Sequence, residues 1–364
     1  MRRLFALALC LPFFLAGGSG PVEFGRLELE RAYAERKLPL PRIPVQSEVS
    51  ADRPESFRIL PIRVTGGDVR GLMYGLIEAA EQIRERGRLV VATGAPAVAI
   101  RGVRMVVGPE DTRADWYKSD EYWQEFFALL ARSRFNRFSL VFSGQVGAPQ
   151  DLEGLTSISA AAAQYAVEMS LGLRAQDLAA AVGLTPEDAG PSSLLALKSL
   201  LAACPSARSV QIWTDGGHSA RYLGLLQDWL FRAVQEAGRR VTLELRAADL
   251  TPELLRAATE AGVPLRIGVR YTGRRPAEIA QPAGVEMFWQ LEPAGPRDSA
   301  LWNDPAHVRR TLAALSQPGF AGFEIQAPAP GDTGRDALFY LLWGRLSYDP
   351  KTPNSVWSRE LNVR

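Results

Sequence analysis

From Ala99 onward, short apolar runs alternate eight times with amphipathic helical stretches. The strand-like runs are AIRGVRMVV, NRFSLVFSG, VEMSLGLRA, SVQIWTDGG, RRVTLELRA, PLRIGVRYTG, VEMFWQLEPAG and GFAGFEIQAPA. Between them lie helical patterns such as DEYWQEFFALLARSRF, SSLLALKSLLAAC and ARYLGLLQDWLFRAVQEAG, and GRDALFYLLWGRLS follows the last run. RRPAEIAQPAG is the weakest of these segments and reads as a short helix. Strands separated by helical crossovers must pair in parallel and be covered by those helices. Eight such units over about 250 residues have the size and order of a (β/α)8 barrel. The competing architecture is an open doubly wound sheet. It usually carries a glycine fingerprint after its first strand, and RGVRMVVGPED is not one.

The stretch before the barrel is organised differently. MRRLFALALCLPFFLAGGSG has a basic start at Arg2 and Arg3, an apolar run from Leu4 to Ala16 and small residues from Gly17 to Gly20. It reads as a signal peptide over residues 1–20, too short for a comfortable membrane span, with an uncleaved anchor as the alternative. The chain is therefore expected in the periplasm or outside the cell, with no stable span after cleavage. Residues 21–98 read as a small α/β accessory domain. FGRLELERAYAERKL is a candidate helix, PLPRIPVQSE a linker or edge segment, and RPESFRILPIRVTG one interrupted strand. The barrel is expected over 99–347 and a C-terminal tail over 348–364.

VTGGDVRGLMYGLIEAAEQIRERG, residues 64–87, joins a strand to a helix whose apolar face is Leu72, Leu76, Ala79, Ala80 and Ile83. GGDVRG fits neither the dinucleotide nor the P-loop pattern. Gly66 and Gly67 are expected to supply the positive φ of a turn, with Asp68 capping the helix and Gly87 ending it. The segment resembles the accessory N-terminal domain of alpha-glucuronidases and beta-hexosaminidases through Gly66, Asp68, Gly71, Leu72, Tyr74, Gly75, Ala80, Glu81 and Ile83. IRGVRM and FNRFSLVF resemble the first two barrel strands there, so the likeness runs over residues 55–143. It implies a secreted or periplasmic glycoside hydrolase and gives Arg101 the place of a first-strand arginine that touches sugar in the hexosaminidase branch.

Composition narrows the partners. The 42 Lys and Arg against 40 Asp and Glu give a formal charge of +2, which offers no argument for nucleic-acid binding. Only His218 and His307 are present, with no HExxH or CxxC motif, so neither a protein-built metal site nor a cofactor is expected. Cys10 lies in the leader, which leaves Cys204 as a lone buried structural thiol. Carbohydrate is the expected substrate; the oligomeric state stays open.

Active sites of such barrels lie at the C-terminal strand ends. Alternation along strands turns Thr242, Glu244 and Arg246 inward, and likewise Gln211, Trp213 and Asp215, Arg266 and Arg270, Gln290 and Glu292, and Glu324 and Gln326. Glu168 and Arg174 join from the third strand. Glu244 and Arg266 lie deeper and suit a structural ion pair. Glycoside hydrolysis usually needs two carboxyl groups. Asp215 is the candidate acid, with Glu324 or Glu292 as its partner. Trp116, Tyr117, Trp213, Trp289 and Trp302 are candidate sugar platforms, Trp116 and Tyr117 the best placed. Arg101, Arg246 and Arg270 favour an anionic sugar such as a uronate. His218 is either an acid/base or sugar contact, or a plain loop residue. Hexosaminidases carry Asp-Glu after strand four and alpha-glucuronidases a Glu, whereas WTDGGHS has no Glu. A degenerate barrel that binds glycans without cleaving them, and a barrel with other chemistry or an envelope role, are the alternatives.

Overall fold

The structure is a computed structural model that describes residues 20–40, 45–50, 52–144, 149–175, 177, 190–213, 224–273, 282, 284–292, 302–328 and 336–357. The expected signal peptide up to residue 19, the end of the expected tail, most of RRPAEIAQPAG, and the loop holding Asp215 and His218 lie outside the described residues.

The N-terminal part contains helix α1 (Pro21–Glu35), strands β1 (Gln46–Val49), β2 (Phe57–Leu60) and β3 (Arg63–Gly66), helix α2 (Val69–Arg86) and strand β4 (Ala92–Gly94). The four strands form one sheet in the order β1-β3-β2-β4. Two features differ from the sequence reading. RPESFRILPIRVTG is a hairpin, with Leu60 pairing Arg63 across a two-residue turn. Pro61 has no backbone N–H to give a ladder, so the chain reverses there. QSEV is an exposed edge strand parallel to β3. Ile59, Val64, Leu72, Leu76 and Ile83 are buried with Leu29 and Ala32 from α1 as one core.

The junction GGDVRG works as a cap and a close contact. The Asp68 carboxylate accepts a hydrogen bond from the Gly71 amide at 2.6 Å and satisfies an orphan N–H of the first turn. Gly87 ends α2 in the left-handed region at φ 68°. Gly66 and Gly67, in contrast, do not have positive φ. A Cβ on Gly66 would stand 2.1 Å from the Leu72 nitrogen, and one on Gly67 would stand 1.9 Å from the Arg53 carbonyl. Steric approach, not turn geometry, demands glycine there.

The rest is a closed barrel of eight parallel strands: β5 (Ile100–Val107), β6 (Arg137–Phe142), β7 (Glu168–Arg174), β8 (Ala207–Trp213), β9 (Thr242–Arg246), β10 (Leu265–Arg270), β11 (Glu286–Leu291) and β12 (Phe320–Gln326). β12 closes on β5. The described helices around it are α3 (Asp115–Lys118), α4 (Asp120–Arg132), α5 (Pro149–Gln164), α6 (Gly190–Ala203), α7 (Phe231–Gln235, after a π turn at Leu226–Leu230), α8 (Pro252–Glu260), α9 (Pro305–Leu315) and α10 (Ala337–Tyr348). Val103, Met105, Phe138, Leu140, Leu171, Val210, Leu243, Ile267, Trp289 and Phe323 form the core between strands and helices. The opposite strand faces turn polar residues into the lumen.

A charged seam joins the sheet domain to the N-terminal end of the barrel. Arg101 is fully buried and pairs with Glu55, while its Nε donates to the Arg134 carbonyl at 2.8 Å. Arg70 pairs with Glu55 at 2.8 Å and with Glu168 at 3.2 Å. Burial pushes the Glu55 carboxyl up, but the charges of Arg101 and Arg70 outweigh it and hold it below the ordinary carboxylate range. Arg134 and Arg345 pair with Glu78, and Arg345 also pairs with Glu81.

Candidate functional site

The lumen is layered. Its floor is an ion cluster built from strand beginnings. Arg137, the first residue of β6, pairs with Glu244, and Arg266 reaches the same carboxylate at 2.8 Å. Arg266 also pairs with Glu286 at 2.7 Å. Burial pushes Glu244 up, yet Arg137 and Arg266 hold its carboxyl below the ordinary range, so it stays ionised and fixed. This is the structural role expected for Glu244 and Arg266.

Glu324 lies above the floor, fully buried. Its Oε2 accepts hydrogen bonds from Ser139 and from Gln211 Nε2, the latter at 2.8 Å, and stands 3.4 Å from Arg137. Its Oε1 is held by nothing among the described residues and faces Arg104 Nε at 3.8 Å, beyond hydrogen-bond reach.

Arg104 is the centre of the mouth. It is buried, donates to Glu292 at 2.5 Å and to Gln326 at 3.3 Å, and packs on Trp213 with 5.6 Å to the ring centroid. Arg246 approaches Trp213 as well, at 5.7 Å, and pairs with Asp249 at 3.1 Å. Arg270 pairs with Glu292 at 3.4 Å and is largely exposed. Arg174 ends β7 exposed at the same rim. Arg104 Nε, Glu324 Oε1, Gln211 Oε1 and Trp213 Nε1 are buried without a hydrogen-bond partner among the described residues. Each unmade bond of this kind costs about 1–3 kcal/mol, and a clustered set at a strand-end mouth suits a hydroxyl-rich ligand.

The structure thus brings Glu324, Glu292, Gln326, Trp213, Arg246 and Arg270 together. It removes others from the mouth. Arg101 points out of the lumen from the other end of β5 into the seam, because Val103 and Met105 share its face and pack on the helices. Trp289 is fully buried on the helix side, stacked on Phe320 at 4.0 Å with its Nε1 donating to the Leu315 carbonyl. Tyr117 is buried against Gly154. Trp116 packs edge-on against Tyr117 and Tyr122 and joins the core. Trp302 packs on Trp343 at 5.4 Å. Glu168 faces the seam, not the mouth. Arg104, Arg137 and Ser139 were missed by the sequence reading. The alternation used on other strands would have found them, since apolar Val103, Met105, Phe138 and Leu140 face the helices.

No family model and no curated protein matches this chain. Among solved structures, it is similar to a glycoside hydrolase family 138 enzyme targeting pectin rhamnogalacturonan II. The TM-score is 0.75 at 16% identity, over 94% of this chain and 51% of that one. A family 20 beta-N-acetylglucosaminidase matches with a TM-score of 0.62 at 13% identity, over 93% of this chain and 89% of that one. The chain has a glycoside hydrolase-like fold. It spans about half the length of the family 138 enzyme. At these identities the likeness establishes the barrel with its accessory domain, and chemistry must be argued from the site.

Proposed function

We propose that this chain is a secreted or periplasmic glycoside hydrolase acting on uronic-acid-bearing oligosaccharides at the C-terminal mouth of its barrel. The observation that carries this reading is the half-engaged Glu324. One carboxylate oxygen is locked by Ser139 and Gln211, and the other is buried beside Arg104 at 3.8 Å without a hydrogen bond among the described residues. A carboxylate oriented in this way is prepared to act as nucleophile or to activate water, the second role in glycoside cleavage. Asp215, two residues beyond Trp213, is assigned the proton-donor role. Glu292 is occupied by Arg104 and Arg270 and acts here as an ordering group. Arg246 and Arg270 are partly or largely exposed at the rim and supply forked donors for a sugar carboxylate.

A second reading has one specific observation behind it. Glu292 and Glu324 already face Arg104, and WTDGGHS lacks a Glu. That arrangement also suits a barrel that binds a glycan without cleaving it. The test is a panel of aryl-glycosides and uronic-acid-bearing oligosaccharides with the wild type, Asp215→Asn and Glu324→Gln. Hydrolysis that drops at least roughly a hundredfold in each variant supports the proposal. Calorimetric binding of an oligosaccharide without turnover by the wild type moves the chain to the second reading. Hydrolysis unchanged in both variants overturns the assigned carboxylates.

A further inference from the structure

At the N-terminal end of the barrel, opposite the mouth, an open cavity of about 430 Å3 lies between the sheet domain and the beginnings of six successive strands. Five arginines line it: Arg70, Arg137, Arg208, Arg240 and Arg266. Three of them are accounted for by carboxylates. Arg70 is held by Glu55 and Glu168, Arg137 by Glu244, and Arg266 by Glu244 and Glu286. Arg208 and Arg240 are exposed and have no ion-pair partner among the described residues. The neighbouring Arg239 donates to the backbone carbonyls of Leu201, Cys204 and Ala207. Glu55 and Glu168 also line the cavity, so five arginines stand against two carboxylates, an excess of positive charge that favours an anion. Ser209 and Thr242 add hydroxyl donors to the same wall.

A second cavity of about 500 Å3 adjoins the first and shares Arg70, Glu168 and Arg208 with it. Ser159 and Ser206 line this second space beside Ala160, Ala163 and Val167. Arg208 thus stands where the charged cavity meets a somewhat larger, less polar one. The pair is suited to a ligand with an oxyanion at one end and an uncharged body.

We infer that the N-terminal face carries a second binding site, selective for an oxyanion held by Arg208 and Arg240. The site is independent of the mouth: on β9 alone, Thr242 and Arg246 are separated by roughly 13 Å of strand. Guanidinium groups bind carboxylate and phosphoryl oxygens through the same forked geometry. The probe therefore decides which of the two the site takes.

The experiment is isothermal titration of the full chain with inorganic phosphate and, separately, with glucuronate. It uses the wild type, Arg208→Ala, Arg240→Ala and the mouth variant Arg246→Ala/Arg270→Ala. Both cavity arginines are exposed, so thermal unfolding of their variants should match the wild type. The expected result is saturable binding of at least one probe that persists in the mouth variant, where the rim arginines can no longer hold glucuronate, and that is weakened roughly tenfold or more by each cavity substitution. The tighter probe then names the group. Saturable binding to neither probe, or binding lost only in the mouth variant, overturns the proposal.

Discussion

The two ends of the barrel treat buried charge in opposite ways. At the seam, Arg101, Arg70 and Asn136 converge on Glu55, and Arg134 and Arg345 share Glu78. At the mouth, Arg104 and Glu324 face each other at 3.8 Å with one buried polar atom on each left unbonded. The pairing is not perfect at the seam, where Arg345 Nε and Ser133 Oγ are also unbonded. Yet every carboxylate there has its guanidinium within bonding distance. A charge removed from water is tolerable when it is hydrogen-bonded and fixed. The seam meets that condition from its own residues, while the mouth leaves part of it for something else to meet. Among the buried charges, those of the seam are satisfied by one another and those of the mouth are not.

The sharpest way to break this contrast is to remove one charge from each end. Arg101→Ala leaves Glu55 buried with a lost partner and should cost about 3–5 kcal/mol of unfolding free energy. Arg270→Ala removes an exposed ion pair and should cost about 1 kcal/mol or less. Urea unfolding of the two variants measures both. Equal losses would mean that the seam and the mouth do not differ as argued. A smaller but still clear loss is expected from Gly67→Ala. Its Cβ would stand 1.9 Å from the Arg53 carbonyl, a backbone atom that cannot swing aside. Overpacking of this kind costs about 1–3 kcal/mol, and the loss should appear in the unfolding midpoint without a change at the mouth. A wild-type midpoint would show that the glycine is not demanded by contact.

Much of this architecture was legible in the chain, because alternation and helix periodicity report burial directly. The eight barrel strands follow from runs such as TLELR and FAGFEIQ, where every second residue faces the helices. The same rule placed Glu244 and Arg266 on the floor and Trp213, Glu324 and Gln326 above it. Where the rule was set aside, the reading failed. Arg101 rests on resemblance alone, and the residue three positions on, Arg104, holds the mouth. Trp289 qualifies as a platform only by its ring, since Gln290 beside it takes the inner face and turns Trp289 to the helices. Gly66 and Gly67 show another limit. Local sequence cannot say that a carbonyl from Arg53, fourteen residues away from Gly67, will press on the turn. Pairings such as Glu55 with Arg101 depend on how two domains meet, and no local pattern encodes that.

The smallest expected effect sharpens the contrast through pH. Burial pushes the Glu28, Glu55 and Glu244 carboxyls up, but their arginine partners reverse this and hold all three below the ordinary range. A carboxylate with a lowered folded-state pKa adds stability that is complete above its unfolded value, about 4.3 for Glu, and is lost as the pH falls through the folded value. Glu81 works in the other direction. Burial and the nearby charge of Glu78 raise it despite Arg345, so its contribution is fullest in acid and fades as the pH rises above the unfolded value. The lowered carboxyls, Glu78 among them, outnumber Glu81, which gives a net loss of stability below about pH 4. Glu28→Gln tests this without touching the lumen, because Glu28 pairs only with Arg31, Arg84 and Arg132 among the described residues. The variant's unfolding free energy should fall less steeply with acid than that of the wild type, so that the two curves converge toward low pH. Parallel curves from pH 6 down to about pH 2 would mean that the Glu28 carboxylate is not held ionised by its arginines.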